Sequence, residues 1–153
     1  MVGVGGFTVK AALALALVAG CFWRSYGRAV ATHADVLEAM ARKGADLVAS
    51  GWLTAETMPE LTYPLERAQA FVREARGRAG GDPPASLAAL EALVARYREF
   101  VDALDRVRRV ATGDDARAAL AEPLARVEAA ADATRAALRG EGRFAAVRRA
   151  AAT

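Results

Sequence analysis

The chain has 153 residues, long enough for one domain with a real core, and its single cysteine excludes an internal disulfide or a cysteine pair for zinc or haem. Its 21 basic and 18 acidic side chains nearly balance and alternate along the sequence, the pattern of solvated helix faces, so a pI near 9.5 does not mark a nucleic-acid binder. Alanine, leucine, arginine and glutamate dominate while β-branched and aromatic residues are sparse, which points away from sheets and towards an all-α fold.

The first element is an apolar run, Ala11-Ala12-Leu13-Ala14-Leu15-Ala16-Leu17-Val18-Ala19, closed by Gly20 and Cys21. Lys10 is the only charged residue before the cysteine. An uncharged run of this length that ends in small residues reads as the hydrophobic region and cleavage site of an export signal. Leu17-Val18-Ala19-Gly20-Cys21 resembles the lipobox of bacterial lipoproteins. The resemblance covers about the first twenty residues. It implies cleavage between Gly20 and Cys21, loss of residues 1–20, and a lipid such as palmitate on Cys21 as the only covalent group, with no other cofactor. Membrane lipid is then one partner, and the chain sits in the bacterial cell envelope. Phe22 is not the aspartate linked to inner-membrane retention in that family, which points to the outer membrane, facing the periplasm.

The same residues admit a second reading, an uncleaved membrane helix over about residues 7–23 and a single pass through the inner membrane. Phe22, Trp23 and Tyr26 would then form an aromatic belt at the membrane interface, and Arg24 and Arg28 would hold the rest of the chain on the cytoplasmic side. A third reading is a buried N-terminal helix in a soluble protein.

Four long helical segments follow, over residues 21–142. The first covers about residues 24–50, with Val30, Leu37 and Gly44 every seven residues interleaved with His33, Met40 and Leu47. Gly51 is its expected C-terminal glycine. Residues 54–61 read as a linker or short turn limited by Pro59, and the second helix is expected to start near Thr62 with Pro64 in its first turn. Leu65, Ala68, Phe71, Val72 and Ala75 form its apolar face, and the run from Gly77 to Pro84 breaks it.

Ser86 is the expected cap of the third helix. Leu87, Leu90, Val94, Tyr97, Val101 and Leu104 step by three and four, widened by Leu93, Phe100 and Val107 into the broad stripe of a core-facing bundle helix. Thr112-Gly113-Asp114 breaks it. The fourth helix covers about residues 115–139, with Leu120, Leu124, Val127, Ala131 and Leu138 on its face. Thr134 shares that face, where its hydroxyl can bond back to a carbonyl of the preceding turn. Pro123 predicts a kink or a short preceding helix, and Gly140 and Gly142 an end. Residues 143–153 read as a short basic amphipathic tail in which Arg148 and Arg149 suit contact with an anionic surface. Helices of this length with short loops predict an antiparallel up-down bundle of four.

No catalytic constellation is present in the sequence, and the chain reads as a non-enzyme. His33 is the only histidine, no paired Glu-x-x-His motif exists, and no metal site is expected. Trp52, in the first connection, is expected to plug the end of the bundle. Two functions fit. One is an envelope lipoprotein acting as scaffold, adaptor or accessory subunit through protein–protein interaction with a partner in a cell-envelope assembly. The other is a bundle that senses or carries a small apolar ligand in a pocket near Pro123.

Overall fold

The computed structural model describes the backbone of residues 4–151 and the side chains of residues 21–142. It holds four helices, α1 (Val4–Ala49), α2 (Met58–Ala79), α3 (Ala85–Val107) and α4 (Gly113–Ala151), and no strand among the described residues. The expected all-α fold is therefore present. The apolar run with Gly20, and Arg148 and Arg149 of the tail, lie outside the residues whose side chains are described.

The end of α1 follows from its glycine. Gly51 takes φ +76°, the left-handed conformation that costs a glycine little. The Trp52 amide then donates to the Leu47 carbonyl at 2.9 Å and the Gly51 amide to Val48 at 3.0 Å, the two bonds of a Schellman turn.

Helix α2 begins four residues before its expected start, because Pro59 and not Pro64 occupies the first turn. A proline there loses no helical hydrogen bond. The turn before it is closed by the Thr54 amide donating to Thr57 Oγ1 at 2.9 Å, and Leu61 is drawn into the core. Pro64 is left inside the helix, where the donor it lacks would have served the carbonyl of Glu60, an exposed residue.

Helix α4 is likewise longer than expected. It runs unbroken past Pro123, Gly140 and Gly142 to Ala151. Neither glycine adopts the positive φ that ends α1, so the expected stop and separate tail are replaced by one helix.

The buried stripes match the sequence pattern most closely in α3. Leu87, Leu90, Leu93, Val94, Tyr97, Phe100, Val101 and Leu104 are all buried, with Val107 packed beside them. In α1 the inward face is Tyr26, Val30, Ala34, Leu37, Ala41, Ala45 and Val48. In α4 it is Ala116, Leu120, Val127, Ala131 and Thr134, and the Thr134 hydroxyl donates to the Ala130 carbonyl at 2.8 Å as expected.

Helices α1 and α3 each touch all three others, whereas α2 and α4 do not touch among the described residues. The cross-section is a rhombus with α1 and α3 on its short diagonal. Small residues on α1 permit that approach. A Cβ placed on Gly44 would stand 2.8 Å from Leu104 Cδ1 and 3.2 Å from Leu61 Cδ1. Position 35 meets 135, 42 meets 128 and 46 meets 117 across α1 and α4, while 76 meets 91 across α2 and α3.

Candidate functional site: the Cys21 end of the bundle

Cys21 lies in α1 with an exposed, free thiol. Beside it, Arg24, Ser25 and Arg28 line a shallow recess of about 300 Å³. The Ser25 hydroxyl donates back to the Cys21 and Phe22 carbonyls, both at 3.1 Å, so it is engaged with the preceding turn of its own helix. Arg24 and Arg28 stand one turn apart and have no acidic partner among the described residues.

The three aromatics expected at a membrane interface separate here. Tyr26 is only 5 % exposed and belongs to the core, because its hydroxyl has a polar partner to reach inside. Phe22 is half-buried, its ring centroid 6.0 Å from Phe71 and covered by the Arg78 guanidinium at 4.6 Å. Trp23 alone faces solvent, edge-on to Phe22 at 5.2 Å.

The partner of Tyr26 is Ser86, at 2.9 Å. Ser86 Oγ donates in turn to Glu141 Oε2 at 2.8 Å, and the Ser86 amide donates to Glu141 Oε1 at 2.7 Å. Ser86 was expected to cap α3 itself. It instead sits inside the first turn, and a carboxylate from α4 caps the helix, where the dipole favours negative charge. Burial pushes the Tyr26 phenol above its ordinary value, with the Ser86 bond acting against that shift and the Glu141 charge adding to it. This chain of three ties α1, α3 and α4 together at the Cys21 end.

Along the α1–α4 seam, Glu38 is almost buried between Arg42, at 3.0 Å, and Arg135. Arg135 also holds Asp35 at 2.8 Å and Asp132 at 3.0 Å, and Arg42 reaches Glu128 at 3.2 Å. The hydrogen bonds it donates to Glu38 and then Asp35 push the Arg135 guanidinium above its ordinary value, so it stays charged.

His33 is half-buried, its ring 5.0 Å from Phe71, in a recess of about 270 Å³ shared with Arg67, Ala70 and Glu74. Burial, then the charge of Arg67, pushes its pKa below the ordinary value. Among the described residues no group of three His, Cys, Asp or Glu side chains is placed to hold a metal ion.

Trp52 is 74 % exposed and does not plug the bundle, because the Schellman turn directs it outward and Leu53 packs into the core in its place. Val110, in the α3–α4 connection, is 84 % exposed. Near Pro123, a cleft of about 400 Å³ between α1 and α4 has Ala45, Leu120, Ala121 and Leu124 on its floor. Its rim carries Arg42, Asp46, Arg117 and Glu128, with both arginines engaged in ion pairs.

No family model matches the chain, and no curated protein or solved structure matches it either. Among the described residues no helix is long and apolar enough to cross a membrane.

Proposed function

We propose that this protein is a membrane-anchored, non-enzymatic lipoprotein of the bacterial cell envelope. Its four helices form an antiparallel up-down bundle that serves as a scaffold, adaptor or accessory subunit of a membrane-associated assembly. The reading rests first on Cys21, an exposed thiol directly behind an apolar run that ends in small residues. An acceptor for a lipid has to be reachable at one end of the fold, and Cys21 is. The antiparallel order is supported by the pairings 35 with 135, 42 with 128, 76 with 91 and 86 with 141.

Glu38, Ser86 and Thr134, buried polar side chains among the described residues, are each satisfied within the fold. Two acyl signals or more hold a protein stably on a membrane, as the multiply acylated lipoproteins resembled here require.

The test is the intact mass of the membrane-extracted protein beside a Cys21→Ala control. The expected mass is that of residues 21–153 plus acyl chains, lost in the control. An unmodified full-length mass refutes the lipoprotein and leaves the apolar run as an anchor or a packed helix.

The carrier of a small apolar ligand is the second reading, favoured by the cleft near Pro123. Pockets for such ligands enclose most of the ligand surface. This cleft opens to solvent, and the arginines on its rim are occupied, so the scaffold is preferred.

A further inference from the structure

The two ends of the fold carry different electrostatics, and that difference selects a contact surface. At the Cys21 end, Arg24, Arg28 and Arg139 are exposed and have no ion-pair partner among the described residues. Gly27 stands opposite Leu138, so Arg139 on α4 is level with Arg28 on α1. Like charges one helical turn apart destabilise a helix, so Arg24 and Arg28 gain from an external anion between them. The recess they flank, beside Cys21, has room for a headgroup phosphate. Trp23 is exposed on the same turn, an aromatic of the type that settles at a membrane–water interface.

At the opposite end most cations are neutralised, Arg106 alone of those in the last turn of α3 and the connection after it being exposed without an ion-pair partner among the described residues. Asp105 holds both Arg108 and Arg109, Asp46 holds Arg117 and Glu60 holds Lys43, while Asp114 and Asp115 are exposed.

We propose that the Cys21 end makes a second, non-covalent contact with the membrane. Headgroup phosphates of anionic phospholipids seat against Arg24, Arg28 and Arg139, and Trp23 enters the interface beside them. The contact rests on the lipoprotein reading only in that the anchor brings this end to the bilayer. The arginines act whether or not the thiol is acylated. A contact of this kind orients the bundle with its Trp52 end away from the membrane.

The test uses the full chain carrying Cys21→Ala, so that no acyl chain contributes. The chain has two tryptophans, so Trp52→Phe leaves Trp23 as the sole reporter and Trp23→Phe leaves Trp52. Vesicles of phosphatidylethanolamine with phosphatidylglycerol are compared with vesicles of phosphatidylcholine alone, which set the baseline for the apolar residues 1–20. The expected result is a blue shift of Trp23 and tighter partitioning on the anionic vesicles, with Trp52 unchanged. Each arginine replaced by alanine should weaken that extra partitioning roughly fivefold, since each basic residue near an anionic surface contributes at about that level. The Arg24→Lys, Arg28→Lys pair should restore it.

Equal partitioning on both vesicle types overturns the proposal, as does a Trp52 shift matching that of Trp23. An equal Trp23 blue shift with inorganic phosphate alone also overturns it, in favour of a free-anion site. Loss of the acylated mass with the vesicle result intact would refute the lipoprotein and keep the surface contact. The reverse outcome would keep the lipoprotein alone.

Discussion

The two ends of the bundle are held together by different physics. At the Cys21 end a chain of hydrogen bonds, Tyr26 to Ser86 to Glu141, joins three helices, and the free cations point outward. At the Trp52 end the join is steric. Gly44 of α1 lets Leu104 of α3 and Leu61 of α2 close over it, and Arg108, Arg109 and Arg117 outside are held by Asp105 and Asp46. The polar end depends on one carboxylate fifty-five positions from its donor, Ser86, whereas the apolar end depends on the absence of a methyl group. The first is specific in direction and sensitive to one atom. The second is tolerant in chemistry and sensitive to volume.

The largest effect is expected where volume decides. Leu104→Ala removes a fully buried side chain from the Gly44 contact and should cost about 2–5 kcal/mol, read from chemical denaturation. A loss under about 1 kcal/mol would show that this end is not closely packed.

Glu141→Ala tests the polar end. It leaves the Ser86 amide without its carboxylate and should cost about 1–3 kcal/mol. The nearby tyrosine fluorescence or near-ultraviolet dichroism should change with it, since Tyr26 loses the far member of its chain. Unaltered stability would mean that water caps α3 as well as the carboxylate does.

Two glycines sharpen the comparison further. Gly44→Ala gains helix propensity but drives its methyl to 2.8 Å from Leu104, so a net loss of about 1 kcal/mol is expected. Gly77→Ala, inside α2 with nothing within 4 Å, should instead stabilise by roughly 0.5–1 kcal/mol. Thermal midpoints that moved in the same direction for both variants would contradict the steric account of the Trp52 end. The smallest effect belongs to Trp52→Ala, expected within about 0.5 kcal/mol of the parent because the ring is mostly in solvent.

These sites also mark how far the sequence could be read. The α3 stripe was legible because nine apolar residues at helical spacing state one inward face without help from any other segment. The back-bond of Thr134 was legible for the same reason, since its partner is one turn away. The cap on α3 was not, because Glu141 is an ordinary solvated acid until α4 is packed against α3. Gly140 and Gly142 look like a stop in isolation, but a helix tolerates glycine at modest cost when neighbouring residues are held in place. Tyr26 looked interfacial beside Phe22 and Trp23, and only the position of Ser86 draws it inward. At the candidate site Cys21 was visible from the run before it. The isolation of Arg24, Arg28 and Arg139 needed the placement of every acid around them.

The rhombic cross-section carries a consequence for the order in which the molecule opens. Among the described residues helix α2 rests on α1 and α3 alone and buries four residues, Leu61, Leu65, Ala68 and Ala75, against ten in α3. Segments with few buried apolar contacts open at lower free energy than the molecule as a whole. Amide protons of α2 should therefore exchange with solvent before those of α3, and a protease should nick the stretch around Gly80 and Gly81 first. Peeling α2 away would uncover Phe71, Tyr97 and the far side of α3 while the α1–α3–α4 triplet stayed folded.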